Sequence, residues 1–74
     1  MGDKYPILTP REIIRKLESF GFAYQSQKGS HLKYVKTGTP TRIVIIPNHS
    51  TIARGTLKSI LEQANIDLDE FLKK

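Results

Sequence analysis

Residues 31–47, which read HLKYVKTGTPTRIVIIP, give the clearest indication of secondary structure in this chain. Two runs rich in β-branched and aromatic residues, 31–36 and 41–46, flank the turn sequence Thr-Gly-Thr-Pro at 37–40. Pro47 ends the second run, because proline has no N–H to donate to a strand ladder. Two such runs joined by a short turn predict an antiparallel hairpin.

A third strand is predicted just before this hairpin. Along residues 22–27, the side chains of Phe22, Tyr24 and Ser26 alternate with those of the residues between them. Lys28-Gly29-Ser30 then provides a turn into the next strand. Two short turns in succession imply a three-stranded antiparallel meander.

A helix is predicted before the strands, over about residues 10–20. Thr9 can cap it, Pro10 suits its first position, and Glu12 completes a capping box. Gly21 is placed to end the helix in a left-handed conformation. The residues predicted to form its apolar face are Ile13, Leu17 and Phe20, with Ile14 beside them.

A second helix is predicted after the polar loop at 48–54, opening at Gly55-Thr56. Its apolar residues recur at helical spacing and are Leu57, Ile60, Leu61 and Ala64. Asn65 can cap its end in the left-handed region. Asp67 and Glu70 then resemble another capping box, which predicts a short C-terminal helix.

The element order predicts an α+β fold: α-β-β-β-α with a short helix appended. The expected architecture is a three-stranded antiparallel sheet with helices on one face, forming a single domain over residues 1–74. Neither a signal peptide nor an apolar run long enough to cross a bilayer is visible. Without cysteine there is no thiolate chemistry, and two histidines alone argue against structural zinc. A cytoplasmic protein without membrane association, metal or cofactor is expected.

Charge is distributed unevenly along the chain, whose formal net charge is +5. No Asp or Glu occurs between Ser19 and Leu61. The basic residues of that segment are Lys28, Lys33, Lys36, Arg42, Arg54 and Lys58. Such a segment favours binding to phosphate backbones or to an acidic protein, although solvated surface lysines are the simpler interpretation.

His31 opens the second predicted strand beside the Lys28-Gly29-Ser30 turn. In that strand Leu32 and Tyr34 share one face, whereas His31 and Lys33 share the other. The opposite register would bury the Lys33 ammonium without a partner, which is costly. We therefore expect His31 and Lys33 on the sheet face that the helices leave open.

Three motifs follow one another along the chain. They are Gly29-Ser30-His31 followed by Tyr34, then VIIPNH at 44–49, then RGTLKSIL at 54–61 followed by Gln63-Ala64. In combination and at this spacing, these motifs resemble the HicA toxin family of the HicA/HicB toxin–antitoxin systems. The resemblance runs from about Ile7 to Phe71. Relatives commonly carry Gly where this chain has Asn65, and Asn also suits a left-handed cap.

The resemblance implies a fold like that of double-stranded RNA-binding domains and a single HicA-like domain. It implies a toxin that cleaves mRNA without a metal, arrests growth as part of a stress response, and is neutralised by a HicB antitoxin. It also implies that His31 is the catalytic residue. We further expect the antitoxin to cover His31 and the basic face together.

The chemistry of these residues is compatible with that activity. RNA carries its own nucleophile, the 2′-OH, and an imidazole with an ordinary pKa of about 6.5 can transfer a proton near neutral pH. Whether His31 would act as base or as acid stays open. The residues expected to bind RNA phosphate are Lys28, Gly29, Ser30, Lys33, Arg54 and Lys58, the last two at the start of the second helix.

Two other classes of function stay open from the residues alone. One is a non-catalytic RNA-binding module in which His31 only binds, and the other is an antitoxin-type protein-interaction domain that docks an acidic partner. His49 could satisfy loop backbone groups or serve as a second acid or base, and is not assigned a catalytic role. Tyr24 and Tyr34 could stack on bases, although Tyr34 is better explained as core.

Overall fold

The computed structural model describes residues 5–74, and its elements follow the predicted order. They are α1 (Pro10–Ser19), β1 (Ala23–Lys28), β2 (His31–Lys36), β3 (Arg42–Pro47), α2 (Arg54–Ala64) and α3 (Leu68–Lys73). The three strands form one antiparallel sheet in the order β1-β2-β3. The α+β fold of the double-stranded RNA-binding type is therefore confirmed. None of the helices within residues 5–74 has the length and apolarity to cross a membrane.

The register of β2 against β3 confirms the predicted faces of the sheet. Leu32 lies opposite Ile46 and is buried with it, whereas Lys33 lies opposite Ile45. Ile45 is 38% exposed and Ile43 is 45% exposed. The sheet thus has one face packed against the core and one face that none of the helices α1 to α3 covers.

The core lies between that packed face and the helices. Its fully buried side chains include Ile13 and Leu17 of α1, Val44 and Ile46 of β3, Leu57 of α2, and Phe71 of α3. Phe71 anchors the short third helix, with its ring stacked 6.5 Å from that of Phe20. A chain of this size buries a small core, and several large apolar side chains, among them Ile43 and Ile45, stay exposed outside it.

The predicted helix ends are mostly confirmed. The Thr9 backbone N–H donates to Glu12 Oε1 at 2.9 Å, and Glu12 N–H donates back to Thr9 Oγ1 at 3.2 Å, which forms the capping box. Gly21, with φ at +99°, and Asn65, with φ at +60°, adopt the left-handed conformation after α1 and α2. This conformation is the one that Gly and Asn tolerate best.

Three local predictions were wrong. The capping box predicted at Asp67 does not form: Asp67 is the N-cap residue of α3, but its side chain makes no capping hydrogen bond. Helix α2 begins at Arg54 rather than Gly55, after an uncapped Ala53. Strict alternation along residues 22–27 fails because a bulge between Tyr24 and Ser26 shifts the register with β2.

Candidate functional site

The sheet face that the helices leave uncovered, hereafter the open face, carries the candidate site. Strand β2 contributes His31, Lys33 and Val35 to it, and the register brings residues of both neighbouring strands beside them. Lys28 lies opposite His31, and Ile45 lies opposite Lys33. His31 and Lys33 therefore lie on the open face, as the alternation of the strand predicted.

A shallow depression of about 470 Å³ lies at the His31 end of the open face. It is lined by Ser26, Lys28, His31, Lys33 and Ile45. The imidazole and Lys28 are exposed, and Lys33 is half-buried. The depression thus combines a group that can transfer a proton with two ammonium groups that can bind phosphate.

The turn before His31 is held by hydrogen bonds to its backbone. Gly29 has φ at +59°, and Gln27 Nε2 donates to its carbonyl at 2.9 Å. The Asn48 backbone N–H donates to the Ser30 carbonyl at 2.6 Å. Because this bond extends the β2–β3 pairing by one step, it fixes the turn against the end of β3.

Arg54 and Lys58 lie outside the depression. Arg54 Nε donates to the Tyr5 carbonyl at 2.8 Å, and Lys58 lines a separate cavity of about 230 Å³ with Tyr5 and Glu62. Of the residues expected to bind RNA, Lys28 and Lys33 line the depression with His31. Gly29 and Ser30 form the turn that precedes His31 and do not line the depression, and neither do the two helix residues.

The two tyrosines considered for base stacking differ in accessibility. Tyr34 is 7% exposed and packs edge-to-face against Tyr24, with ring centroids 5.8 Å apart. Burial raises the pKa of the Tyr34 phenol above its ordinary value, and the nearby Glu18 and Tyr24 add to this. Tyr34 is thus a core residue, as expected, whereas Tyr24 is 56% exposed.

Three residues near the site were missed by sequence reasoning. Ile45 could have been found, because it lies outward between the buried Val44 and Ile46. Ser26 was hidden by the bulge in β1. Gln63 accepts the Ile45 backbone N–H on its Oε1 at 3.3 Å, a contact that only the tertiary structure creates.

No group of three or more His, Cys, Asp or Glu side chains that could hold a metal ion occurs within the part of the chain that the structure describes. The lining of the depression likewise includes no carboxylate. Its donors are one imidazole, one hydroxyl and two ammonium groups.

The fold and the site define a small basic α+β domain of the double-stranded RNA-binding type, with a histidine between two lysines on its open sheet face. The chain belongs to the HicA toxin family: the family described as HicA toxin of bacterial toxin-antitoxin matches residues 10–66. It is therefore the toxin of a toxin–antitoxin system, with a HicB antitoxin as the partner that the family implies. No curated protein matches the chain.

Proposed function

We propose that this toxin is a metal-independent endoribonuclease that cleaves mRNA, with His31 transferring a proton at the scissile phosphate. The observation that carries the proposal is the depression, in which His31 is exposed between Lys28 and Lys33 on a face without a helix cover. A long polyanion can reach such a face, and the absence of acids from Ser19 to Leu61 favours its approach. Action on mRNA also implies a cytoplasmic protein.

The depression supplies the proposed reaction with one group that can transfer a proton and two cations that can bind phosphate. The 2′-oxygen of RNA attacks the adjacent phosphorus while the P–O5′ bond breaks, leaving a 2′,3′-cyclic phosphate and a 5′-hydroxyl. His31 makes one of the two proton transfers, either from the 2′-OH or to O5′, and water or a second acid–base group makes the other. One such transfer contributes about 10²- to 10⁴-fold in rate. Lys28 and Lys33 stabilise the negative charge that grows on the phosphoryl oxygens.

The proposal is tested by incubating the purified protein with a long single-stranded RNA in excess EDTA. We expect the wild type to cleave and His31→Ala to lose about 10²-fold or more in rate while it retains RNA binding. Lys73→Ala, an exposed lysine on α3, serves as the matched surface variant and should cleave normally.

Binding without cleavage by the wild type would instead identify a non-catalytic RNA-binding module. Equal cleavage by the wild type and His31→Ala would exclude His31 as the proton-transfer residue. Cleavage that stops in EDTA and returns with a divalent cation would contradict metal independence.

We also propose that the HicB antitoxin covers His31 and the basic part of the open face together. Beside the lysines, the same face exposes Ile43 and Ile45, which a protein partner could bury. We expect Ile43→Asp to weaken the complex by at least tenfold in Kd, measured by calorimetry with the cognate antitoxin. Leu72→Asp, a comparably exposed apolar residue on α3, is the control and should bind normally. A complex that leaves His31 open to RNA would contradict this mode of neutralisation.

A further inference from the structure

The second histidine of the chain, His49, lies at the same end of the sheet as His31. His31 is the first residue of β2 and lies opposite Pro47, the last residue of β3. The next residue, Asn48, donates its backbone N–H to the Ser30 carbonyl at 2.6 Å. His49 is therefore the residue next to Asn48, whose backbone is hydrogen-bonded to the turn that precedes His31.

The loop that carries His49 is held at both of its ends by backbone contacts. Asn48 is bound to Ser30, and the Ile52 N–H donates to the Leu8 carbonyl at 2.8 Å while the Ile52 side chain is buried. Residues 49–51 between these two anchors are exposed. Within residues 5–74 the imidazole of His49 makes no hydrogen bond, so anchoring the loop does not require it.

We propose that His49, which lies in the loop at the His31 end of the sheet and does not line the depression, is a second proton-transfer residue and divides the acid and base roles with His31. This inference rests on the proposed ribonuclease function. Cleavage moves two protons, one from the 2′-OH and one to O5′, and a single imidazole supplies only one of these transfers at a time. With no carboxylate between Ser19 and Leu61, the two imidazoles are the groups of that segment whose ordinary pKa lies near neutrality.

The proposed step balances in atoms and protons. One imidazole, neutral at the start, takes the 2′-OH proton as the 2′-O–P bond forms. The other, protonated at the start, gives its proton to O5′ as the P–O5′ bond breaks. The products are a 2′,3′-cyclic phosphate, a 5′-hydroxyl and two imidazoles with exchanged protonation states, which solvent resets.

A substrate with a sulfur in place of O5′ separates the two roles. A thiolate leaves without being protonated, so a variant that lacks only the acid regains cleavage on this substrate, whereas a variant that lacks the base does not. The wild type is first used to map one cleavage site in a long RNA. A short RNA with that site is then made in oxygen and 5′-thio forms, and cleavage by His31→Ala, His49→Ala and His49→Gln is measured on both.

We expect each histidine variant to lose about 10²- to 10⁴-fold on the oxygen substrate, and one of the two positions to recover on the 5′-thio substrate. His49→Gln keeps a polar side chain in the loop and should behave like His49→Ala. RNA affinity and thermal midpoint should match the wild type. Ser50→Ala, the exposed neighbour in the same loop, should cleave both substrates normally.

Three results would overturn the inference. They are cleavage by His49→Ala within a few-fold of the wild type, recovery on the 5′-thio substrate at neither position, and a loss fully accounted for by weaker RNA binding. If His31→Ala is inactive while His49→Ala is normal, only this inference fails and the ribonuclease proposal stands. If the wild type cleaves no RNA, both the ribonuclease proposal and the inference about His49 fail.

Discussion

Gly29, beside the candidate site, has φ at +59°, and a side chain added there would meet no atom within 4 Å. The cost of replacing it is therefore conformational rather than steric. We expect Gly29→Ala to lower the free energy of unfolding by about 1 kcal/mol, because alanine is disfavoured in the left-handed region. Gly29→Asn should cost less, since Asn tolerates that region better. Urea denaturation measures both.

Gly55 provides the matched control for this prediction. It also has free space around it, but it lies in the first turn of α2 and lacks a positive φ. Gly55→Ala should raise the stability by about 0.5 kcal/mol, because alanine reduces the entropy of the unfolded chain. If both alanine variants shift stability in the same direction, the left-handed strain at Gly29 is not what decides the outcome.

The alternation of side chains along a strand predicted part of the candidate site. The alternation of β2 was enough to place His31 and Lys33 on the open face, because the burial of Leu32 and Tyr34 fixes which way they point. The contacts of the Arg54 side chain could not be predicted from the sequence. Its Nε donates to the carbonyl of Tyr5, 49 residues away, and no local pattern encodes such a contact.

The N-terminus of the first helix is stabilised by its capping box. Thr9 Oγ1 accepts the Glu12 N–H, and Glu12 returns a bond to the Thr9 backbone. We expect Thr9→Ala to lower the free energy of unfolding by about 1 kcal/mol, the usual cost of losing such a cap. Thr51→Ala, an exposed threonine in the loop before α2, is the control and should change stability little. Equal effects in urea denaturation would contradict the prediction.

The capping box also predicts a dependence of stability on pH. Two hydrogen bonds from Thr9 to the Glu12 carboxylate lower the pKa of Glu12 below the ordinary value of 4.5. The larger effect comes from the Thr9 backbone N–H and the smaller one from the Thr9 hydroxyl. A carboxyl with a lowered pKa stabilises the fold fully above its unfolded pKa, and this stabilisation is lost as the pH falls through the folded pKa. The stability advantage of wild type over Glu12→Gln should therefore be constant near neutrality and shrink below pH 4.5.

Chemical denaturation of the wild type and Glu12→Gln across that range measures the difference. Glu62→Gln, on the exposed side of α2, should show no comparable trend. If the difference in free energy of unfolding between the wild type and Glu12→Gln grows as the pH falls, the prediction is contradicted.

Sequence patterns predicted the type and order of all six elements but not every boundary. The hairpin of β2 and β3 could be predicted from the sequence because turn residues separate two apolar runs. The bulge in β1 could not be, since an exposed strand has no buried face to reveal its register. The box predicted at Asp67 shows that suitable residues at suitable spacing do not guarantee a capping bond.

The fold places part of the unevenly distributed charge of the sequence on one surface. The helices cover one face of the sheet. The acid-free segment includes all three strands and most of α2, and two of its lysines, Lys28 and Lys33, line the depression on the uncovered face. Four of the seven acids lie in the last thirteen residues, on and around α2 and α3. RNA binding should therefore depend on where positive charge lies more than on how much the molecule carries.

Two double variants with the same net charge separate these possibilities. Lys28→Ala/Lys33→Ala and Lys73→Ala/Lys74→Ala each remove two lysines, which lowers the formal net charge from +5 to +3. Each phosphate contact with single-stranded RNA contributes about 0.7 to the slope of log affinity against log salt. The first double variant should therefore lose affinity and reduce the steepness of that slope by about 1.4, whereas the second should keep nearly the wild-type slope. The test is titration of inactive His31→Ala protein, with and without each pair, against one RNA at several salt concentrations. Equal losses in both variants would mean that net charge, rather than the lysines beside His31, attracts the RNA.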